Sequence, residues 1–450
     1  MENKNVVLTE GAPWKGILLF ALPVFAGQVL QQLYSTVDAI IVGNFVSEAA
    51  LASVGTVFCL TMFFLSIANG FSTGACVILA QLFGAKKYDK LRHTANGAIV
   101  LLWIIGLLAA AISLVFCGPI IKYVLGVKGE ILTMAVLYFR IYSVGLIFQF
   151  GYNICACVLR AVGDSKASLY FLLVSSILNI ILDVVFVAWM DMGVAGAAWA
   201  TNLSQLGSCA AAFIYMYKKY EIFRFKLTDY RFDKETSINV LKTGLPMCMQ
   251  QMIVSMGFIF IQHAVNTYGD AMTASFTVAQ RVENYLHVIC LSLMITMSTY
   301  AGQNTGARKP ERIVKGVMQA TLISVGLTLA LGLLSFIFAR QIIGWFALGE
   351  EATVFCYTHV RVSSILVLMF AAYFPMLGMF QGVGDAFYST RTATIVLLVR
   401  TVAVYTLCYV PFLGYRIIWW SQLISYSVGI ILAWGHFFGG KWKKKKLLAE

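Results

Sequence analysis

The sequence predicts an all-α integral membrane protein with twelve transmembrane helices arranged in two pseudo-symmetric six-helix lobes. Three observations predict this fold class: the composition, the number of long apolar segments and an internal repeat. Of the 450 residues, 60% are hydrophobic and only 12% are charged, whereas soluble domains carry about 25% charged residues. Lipid is therefore expected to be the main solvent of this chain.

Twelve apolar segments are long enough to cross a bilayer, which takes about 20 residues in a helix. We expect helices because an open sheet edge in lipid would leave backbone groups without hydrogen bonds. The first segment has no cleavable signal before it and is expected to remain as a span. The segments cover residues 17–43, 51–79, 94–117, 131–157, 168–190, 194–217, 238–265, 271–300, 314–339, 352–380, 393–412 and 417–438.

Lysine and arginine are distributed unevenly between the two sides of these spans. One side carries Lys86, Lys87, Lys90, Arg92, Arg160, Lys166, Arg308, Lys309, Arg312, Lys315, the stretch 218–242 and the tail from Lys441. The other side carries only Lys122, Lys128, Arg340 and Arg416. By the positive-inside rule, both termini are cytoplasmic in a multi-pass protein of the bacterial plasma membrane. The net charge of +13 then reflects topology and contact with anionic lipid rather than nucleic-acid binding.

The sequence motifs that would indicate an enzyme are missing. The ten cysteines show neither metal-finger spacing nor a secreted disulfide framework, so we interpret them as small reduced apolar residues. Neither an HExxH nor a GxSxG motif is present, and the Gly-Asp turns fit no phosphate loop. We therefore expect no catalytic residues and no organic cofactor.

The chain repeats itself with a nearly constant offset. AQLFGAKK at 80–87 returns as GQNTGARK at 302–309, and LRAVGDSKAS at 159–168 returns as FQGVGDAFYST at 380–390. From Gln81 to Gln303 is 222 positions, and from Gly163 to Gly384 is 221. An even number of spans per repeat gives both copies the same orientation, so an axis along the membrane normal should relate them. We expect lobes at 1–217 and 237–440, a cytoplasmic linker at 218–236 and a basic tail at 441–450.

Polar side chains inside the first half point to function. Asn179 and Asp183 lie four residues apart in an apolar run, on one helix face, and Asp38 is the only charge in the first span. An aspartate in hydrocarbon costs about 2.5–3.5 kcal/mol on insertion scales, which makes it a functional candidate by default. In the second half, Asn179 aligns with Arg400 and Asp183 with Val404. A purely structural role remains an alternative for both acids. Asp183 could serve helix packing, and Asp38 could extend its carboxylate to the membrane interface.

Several stretches together resemble the multidrug and toxic compound extrusion (MATE) transporters, in the bacterial drug-efflux and DinF-like branch. They are LPVFAGQVLQQLYSTVDAIIVG at 22–43, the LNIILD run, the FGAKK loop and the AVGDSK loop. The likeness covers the whole chain and implies a MATE/MOP-type fold. It also implies a secondary active exporter that moves bulky cationic or amphipathic drugs, or metabolites, by alternating access in exchange for protons or sodium. We expect it to act as a monomer in the lipid bilayer.

The resemblance also implies roles for particular residues. The coupling ion, a proton or a sodium ion, would bind at Asp38, Asn179, Asp183 and Thr201. Pro23 matches the proline at which the family's first helix bends, and proline leaves a carbonyl of the preceding turn unpaired.

The second half departs from the sodium-coupled NorM-like branch, because the acid pair of that branch's second lobe is absent. Glu283 is the only intramembrane carboxylate there, and we expect Arg281, two residues away, to neutralise it. Methionine and aromatic side chains repack around varied shapes and suit a promiscuous cavity. The predicted cavity residues are Gln28, Tyr34, Gln251, Met256, Glu283 and Met294.

Two other functions remain as alternatives. A lipid-linked precursor flippase, or an exporter of one specific metabolite, could use the same superfamily fold. A flippase would need a basic cavity, for which Arg140, Arg361 and Arg400 are the candidates, and the two aspartates count against it. A channel or a membrane enzyme would need a filter or a catalytic set, and the sequence contains neither.

Overall fold

The computed structural model describes residues 6–225, 232–346, 348–410 and 414–444. This part of the chain is nearly all helical, with thirteen α-helices. They are α1 Pro13–Phe45, α2 Glu48–Gly84, α3 Tyr88–Pro119, α4 Gly129–Ala161, α5 Ser165–Asp183, α6 Gly193–Lys219, α7 Lys234–Asn266, α8 Asp270–Gly306, α9 Pro310–Ile337, α10 Ala339–Gly344, α11 Glu350–Gly382, α12 Ala386–Leu407 and α13 Ile417–Phe438. Wider π-turns extend α3 over Ile120–Val124 and α5 over Val184–Trp189.

The predicted fold class is confirmed, because each of the twelve predicted spans corresponds to one long helix. In the described ranges, eleven helices are long and apolar enough to cross a membrane. The twelfth is α6, whose 27 residues reach about 40 Å at 1.5 Å per residue. Its glycine, alanine and polar residues lower its hydropathy. Most helices extend beyond the predicted apolar segments, and the predicted end of the eleventh span, residue 412, lies outside the described residues.

The backbone carries the sequence repeat into three dimensions. Lys86 at the end of α2 has φ 57° and Arg308 at the end of α8 has φ 56°. Their neighbouring hydrogen bonds also match: Lys87 N–H donates to Leu82 O at 3.1 Å, and Lys309 N–H donates to Asn304 O at 2.9 Å. A left-handed conformation is costly for a lysine or an arginine. Its recurrence at the same offset therefore supports duplication of the helix pair and its turn.

The same agreement holds later in each repeat. Gly163 after α4 has φ 90° and Gly384 after α11 has φ 88°. Gly193, the first residue of α6, and Gly414, three residues before α13, also have positive φ. These pairs lie 221 positions apart. The predicted Gly-Asp turns are thus present in both copies, where glycine supplies the left-handed residue.

The chain divides into two compact units at positions that differ from the predicted linker. The first unit comprises Met1–Asn5 and Leu22–Cys248, and the second comprises Val6–Ala21 and Met249–Glu450. The boundaries therefore lie inside α1 and α7, close to Pro23 and Pro246, the prolines within these helices. Residues 226–231 of the predicted linker and 445–450 of the predicted tail lie outside the described residues.

Close packing against α2 explains why the first turns of α7 belong to the first unit. A Cβ added at Gly74 on α2 would lie 2.6 Å from the Gly244 Cα atom of α7. One turn earlier on α2, a Cβ added at Gly70 would lie 2.6 Å from the Cys248 Cα atom of α7. The Cys248 thiol also donates to Ile67 O at 3.5 Å. Two backbones approach this closely only where no side chain separates them.

Hydrogen bonds to α8 and α9 explain why residues 6–21 belong to the second unit. The Arg312 guanidinium donates to the carbonyl oxygens of Leu8, Glu10 and Gly11 at 2.9–3.2 Å. Asn304 donates to Leu8 O at 3.2 Å. Side chains at the end of α8 and the start of α9 therefore bind the backbone that precedes α1.

Asp164, in the turn before α5, links the start of α5 to the end of α6. Its carboxylate accepts hydrogen bonds from Lys219 Nζ at 2.7 Å, Tyr220 at 2.7 Å and Tyr215 at 2.9 Å. Burial by itself raises the pKa of this carboxyl, but the donors and the Lys219 charge outweigh burial and lower the pKa overall. The ionised carboxylate is therefore the form that stabilises this turn.

Asp164→Asn is expected to destabilise the protein at neutral pH by about 1–3 kcal/mol, the range for hydrogen bonds to charged groups. Because the folded-state pKa is lowered, the stabilisation is present above the unfolded-state pKa and disappears as the pH falls through the acid range. Thermal unfolding of the purified protein at pH 7 and at a pH well below 3.8, the ordinary pKa of an aspartate, checks this. Glu221→Gln is the control, since the Glu221 side chain is 85% exposed; an equal effect of both variants would contradict the assignment.

Gly74→Ala is expected to destabilise the first unit by about 1–3 kcal/mol through overpacking against α7. A Cβ added at Gly55 on the same helix would have no atom within 4 Å. Gly55→Ala should therefore be neutral or stabilise by up to about 1 kcal/mol from helix propensity. Unfolding midpoints in detergent measure the difference. Equal midpoints would show that α2 and α7 are not in this close contact.

Candidate functional site

A polar centre in the first unit brings together the two acids that the sequence singled out. Asp183 at the end of α5 has no exposed surface. Asp38 on α1 lies close to it, within electrostatic range of the Asp183 carboxyl group. Two neighbouring carboxylates in a poorly solvated site repel each other, and a shared proton or a cation relieves that repulsion. The structure therefore brings the two predicted acids into one site.

The acceptor atoms of this centre are largely unused. Both Asp183 oxygens, Asp38 Oδ1 and both polar atoms of Asn179 are buried with no hydrogen-bond partner in the described part of the chain. A buried polar group without a partner costs about 1–3 kcal/mol, and more when charged. Five unpaired atoms on three neighbouring side chains indicate a site that is completed by a bound species.

Two tyrosines accompany the acids. Tyr34, one turn before Asp38 on α1, and Tyr138 on α4 both lie within electrostatic range of Asp38 and Asp183. Tyr138 is buried and stacks at 6.2 Å on Tyr142. The sequence predicts Tyr34 as a residue of the substrate cavity, but the only sequence signal of Tyr138 is its position in an aromatic run. Only the packing of α4 brings it to the acids.

The described side-chain contact of Thr201 lies within its own helix, α6. Its hydroxyl donates to Ala197 O of its own helix at 3.0 Å, and no described contact joins it to the acids. The next residue, Asn202, is buried; its amide donates to Ile141 O at 2.5 Å and its side-chain oxygen lies over Gly145. Asn202 thus joins α6 to α4. Pro23 is buried beside the boundary between the units.

The predicted cavity residues are distributed over both units. Gln28 and Tyr34 on α1 are half-buried in the first unit. In the second unit, Gln251 and Met256 on α7 are exposed and Met294 on α8 is half-buried. Their shared role in a cavity stays a prediction.

Glu283 has a different partner from the one expected. Its carboxylate lies 3.3 Å from His359 Nε2 of α11, and both side chains are buried. Arg281 is exposed. The expectation of an Arg281–Glu283 pair was wrong because residues two apart point to different sides of a helix. Ser363 and Gln422 complete the contacts of Glu283.

No cluster of three or more His, Cys, Asp or Glu side chains that could hold a metal ion occurs among the described residues. A transition-metal centre therefore has no support in these ranges. The oxygen atoms of Asp38, Asn179 and Asp183 are instead the hard ligands that suit a sodium ion, and the paired carboxyls equally suit a shared proton.

Comparisons with known proteins agree with the fold and with its duplication. The family model MatE matches residues 23–185 and again 246–410. The chain is similar to "Probable multidrug resistance protein YoeA" of Bacillus subtilis, with 25% identity over 96% of this chain and 95% of the relative. It is also similar to "Probable multidrug resistance protein YpnP" of the same organism, with 25% identity over 98% of both chains.

A solved structure, "Crystal structure of MATE in complex with MaL6", has a TM-score of 0.92 and 25% identity over 98% of this chain and 100% of that one. The double family match falls on the two backbone repeats described above. The chain therefore belongs to the MatE family, the multidrug and toxic compound extrusion transporters.

Proposed function

We propose that this chain is a secondary active multidrug exporter, driven by a cation that binds at Asp38 and Asp183. The observation that carries the proposal is the closeness of Asp38 to the fully buried Asp183, with Asp38 Oδ1, both Asp183 oxygens and the Asn179 amide unpaired among the described residues. A permanent structural role would leave these atoms satisfied, since buried polar groups in folded proteins are nearly always hydrogen-bonded.

The chemistry of the centre accommodates one positive charge. Two neighbouring carboxylates in a poorly solvated site repel each other, and one shared proton or one sodium ion relieves that repulsion. Asn179 Oδ1 would supply a neutral oxygen for sodium. Each elementary charge that moves inward across the membrane gains about 2.3 kcal/mol per 100 mV, which can drive export when the ion and the drug favour different states.

The proposed cargo is bulky and cationic or amphipathic. The relatives are named multidrug resistance proteins, and the second unit carries exposed, adaptable side chains on α7 and α8. Met249 is 49% exposed, Met256 51% and Tyr285 44%. Flexible, polarizable thioethers adapt to varied apolar shapes.

An anionic cargo finds less support. Arg140 is exposed on α4 in the first unit. In the second unit, Arg361 lies 3.9 Å from the centroid of the Phe336 ring, and Arg400 is buried. No described contact joins the three arginines, so the flippase alternative lacks the basic cluster that a pyrophosphate group would need.

The setting proposed for this activity is the bacterial plasma membrane, with both termini cytoplasmic and the chain acting as a monomer. The lysine and arginine asymmetry supports the orientation. Small-molecule drugs and the lipid bilayer are the proposed partners, without nucleic acid and without an organic cofactor.

Asp183→Asn and Asp38→Asn are expected to lower gradient-driven drug transport at least tenfold, because each removes a titratable, cation-binding carboxylate while keeping the shape. Drug binding to the purified protein should survive. Everted vesicles with proton and sodium gradients imposed separately measure the transport and identify the coupling ion.

The exposed Asp191 provides the matched control for this experiment, since Asp191→Asn removes a carboxylate outside the centre and should leave transport unchanged. If both Asp38→Asn and Asp183→Asn pumped at the wild-type rate, the first-unit centre would be structural and the proposal would fail.

A further inference from the structure

The second unit contains a polar centre in which two residues lie at repeat positions of the first-unit centre. With the offset of 221 that relates Gly163 to Gly384, Tyr138 corresponds to His359 and Asn179 to Arg400. Glu283 on α8, with no acidic counterpart on α2, lies among them. Duplication has therefore placed a second group of polar residues on α8, α11, α12 and α13, with different chemistry.

Glu283 is the middle of this centre. It is 6% exposed and His359 is 1% exposed, and 3.3 Å separates Glu283 Oε1 from His359 Nε2. Ser363 donates a hydrogen bond to the same oxygen. Gln422 Nε2 lies 3.4 Å from Oε1 and 3.5 Å from Oε2. The carboxylate is thus held by three neutral or titratable partners.

The other ionisable groups around this pair come from each packed helix. His287, one turn after Glu283 on α8, packs at 4.0 Å on Phe370 and lies within electrostatic range of Glu283 and Arg400. Tyr426 on α13 is within electrostatic range of the same two residues. The neighbouring charge of α11, Arg361, instead packs on the Phe336 and Tyr357 rings.

Aromatic rings enclose the imidazole of His359. Its ring centroid lies 5.4 Å from that of Phe276 and 5.8 Å from that of Trp419. Nε of Arg400 and Nε1 of Trp419 are both buried without a partner among the described residues. The centre therefore has buried donors that the folded chain leaves unused, which is unusual for a purely structural network.

The charge balance distinguishes this pair from a permanent ion pair. Where the chain holds a carboxylate in a structural turn, as at Asp164, the partner is Lys219, which stays charged. At Glu283 the partner is a histidine, whose unperturbed charge change lies near neutral pH. While the imidazoles are neutral, the negative charge of Glu283 and the positive charge of Arg400 cancel. One added proton on His359 Nε2 then faces a carboxylate, which lowers the cost of a buried charge.

We propose that Glu283 and His359 form a second proton-binding centre, located in the second unit and separate from Asp38 and Asp183. One proton from water binds His359 Nε2 and no bond other than N–H forms, so the centre changes from net zero to net +1. The use of this proton in transport rests on the proposed exporter function, whereas its binding does not.

Histidine NMR on the whole protein in lipid nanodiscs tests proton binding directly. The chain has five histidines, so ¹⁵N-histidine labelling with single His→Gln variants assigns each imidazole. His359 is expected to take up a proton at Nε2 as the pH is lowered, which changes its ring ¹⁵N shifts. Glu283→Gln should weaken its proton affinity at least tenfold, about 1.4 kcal/mol, whereas Glu283→Asp should retain most of it.

His436→Gln is the matched control, because His436 forms a similar pair at 3.0 Å with Asp385 in the same unit. It should leave the His359 titration unchanged. A His359 that stays neutral throughout in the unsubstituted protein would overturn the proposal, whether or not Glu283→Gln folds. A titration that Glu283→Gln leaves unchanged would also overturn it. The measurement uses no drug, so failure of drug export would refute the proposed function alone.

Discussion

The cost of an ionised carboxylate in a poorly solvated helix bundle is the constraint on which the polar centres of this protein depend. A charged group there must be neutralised, paired or bound to a cation. The first unit meets this constraint with two neighbouring acids, Asp38 and Asp183, which need a proton or a cation. The second unit meets it with Glu283 and an imidazole. In the function and the second centre proposed above, the local charge of each unit depends on a bound ion.

Duplication explains how two such centres arise in one chain. The backbone keeps its turns nearly unchanged, as the matching φ angles at Lys86 and Arg308 show. The side chains at equivalent helix positions have diverged, since the repeat aligns Tyr138 with His359 and Asn179 with Arg400. Helix packing constrains the backbone strongly, whereas a polar position in the interior can change its chemistry as long as its charge remains balanced.

The division of α1 and α7 has a similar physical origin. Glycines on α2 bring the first half of α7 into the first unit, and the side chains of Asn304, Lys309 and Arg312 hold residues 8–11 in the second. Each boundary lies close to a proline, where one helical hydrogen bond is missing and bending costs least.

The sequence alone determined the fold class, the duplication and the identity of the two first-unit acids. These conclusions rest on local signals: apolar length, a constant offset and rare charges in apolar runs. It did not determine partners that come from distant helices. His359 rather than Arg281 faces Glu283, Tyr138 lies near the acids, and Asn202 joins α6 to α4. Which faces of helices meet depends on side-chain packing between segments far apart in the chain, and only the tertiary structure decides it.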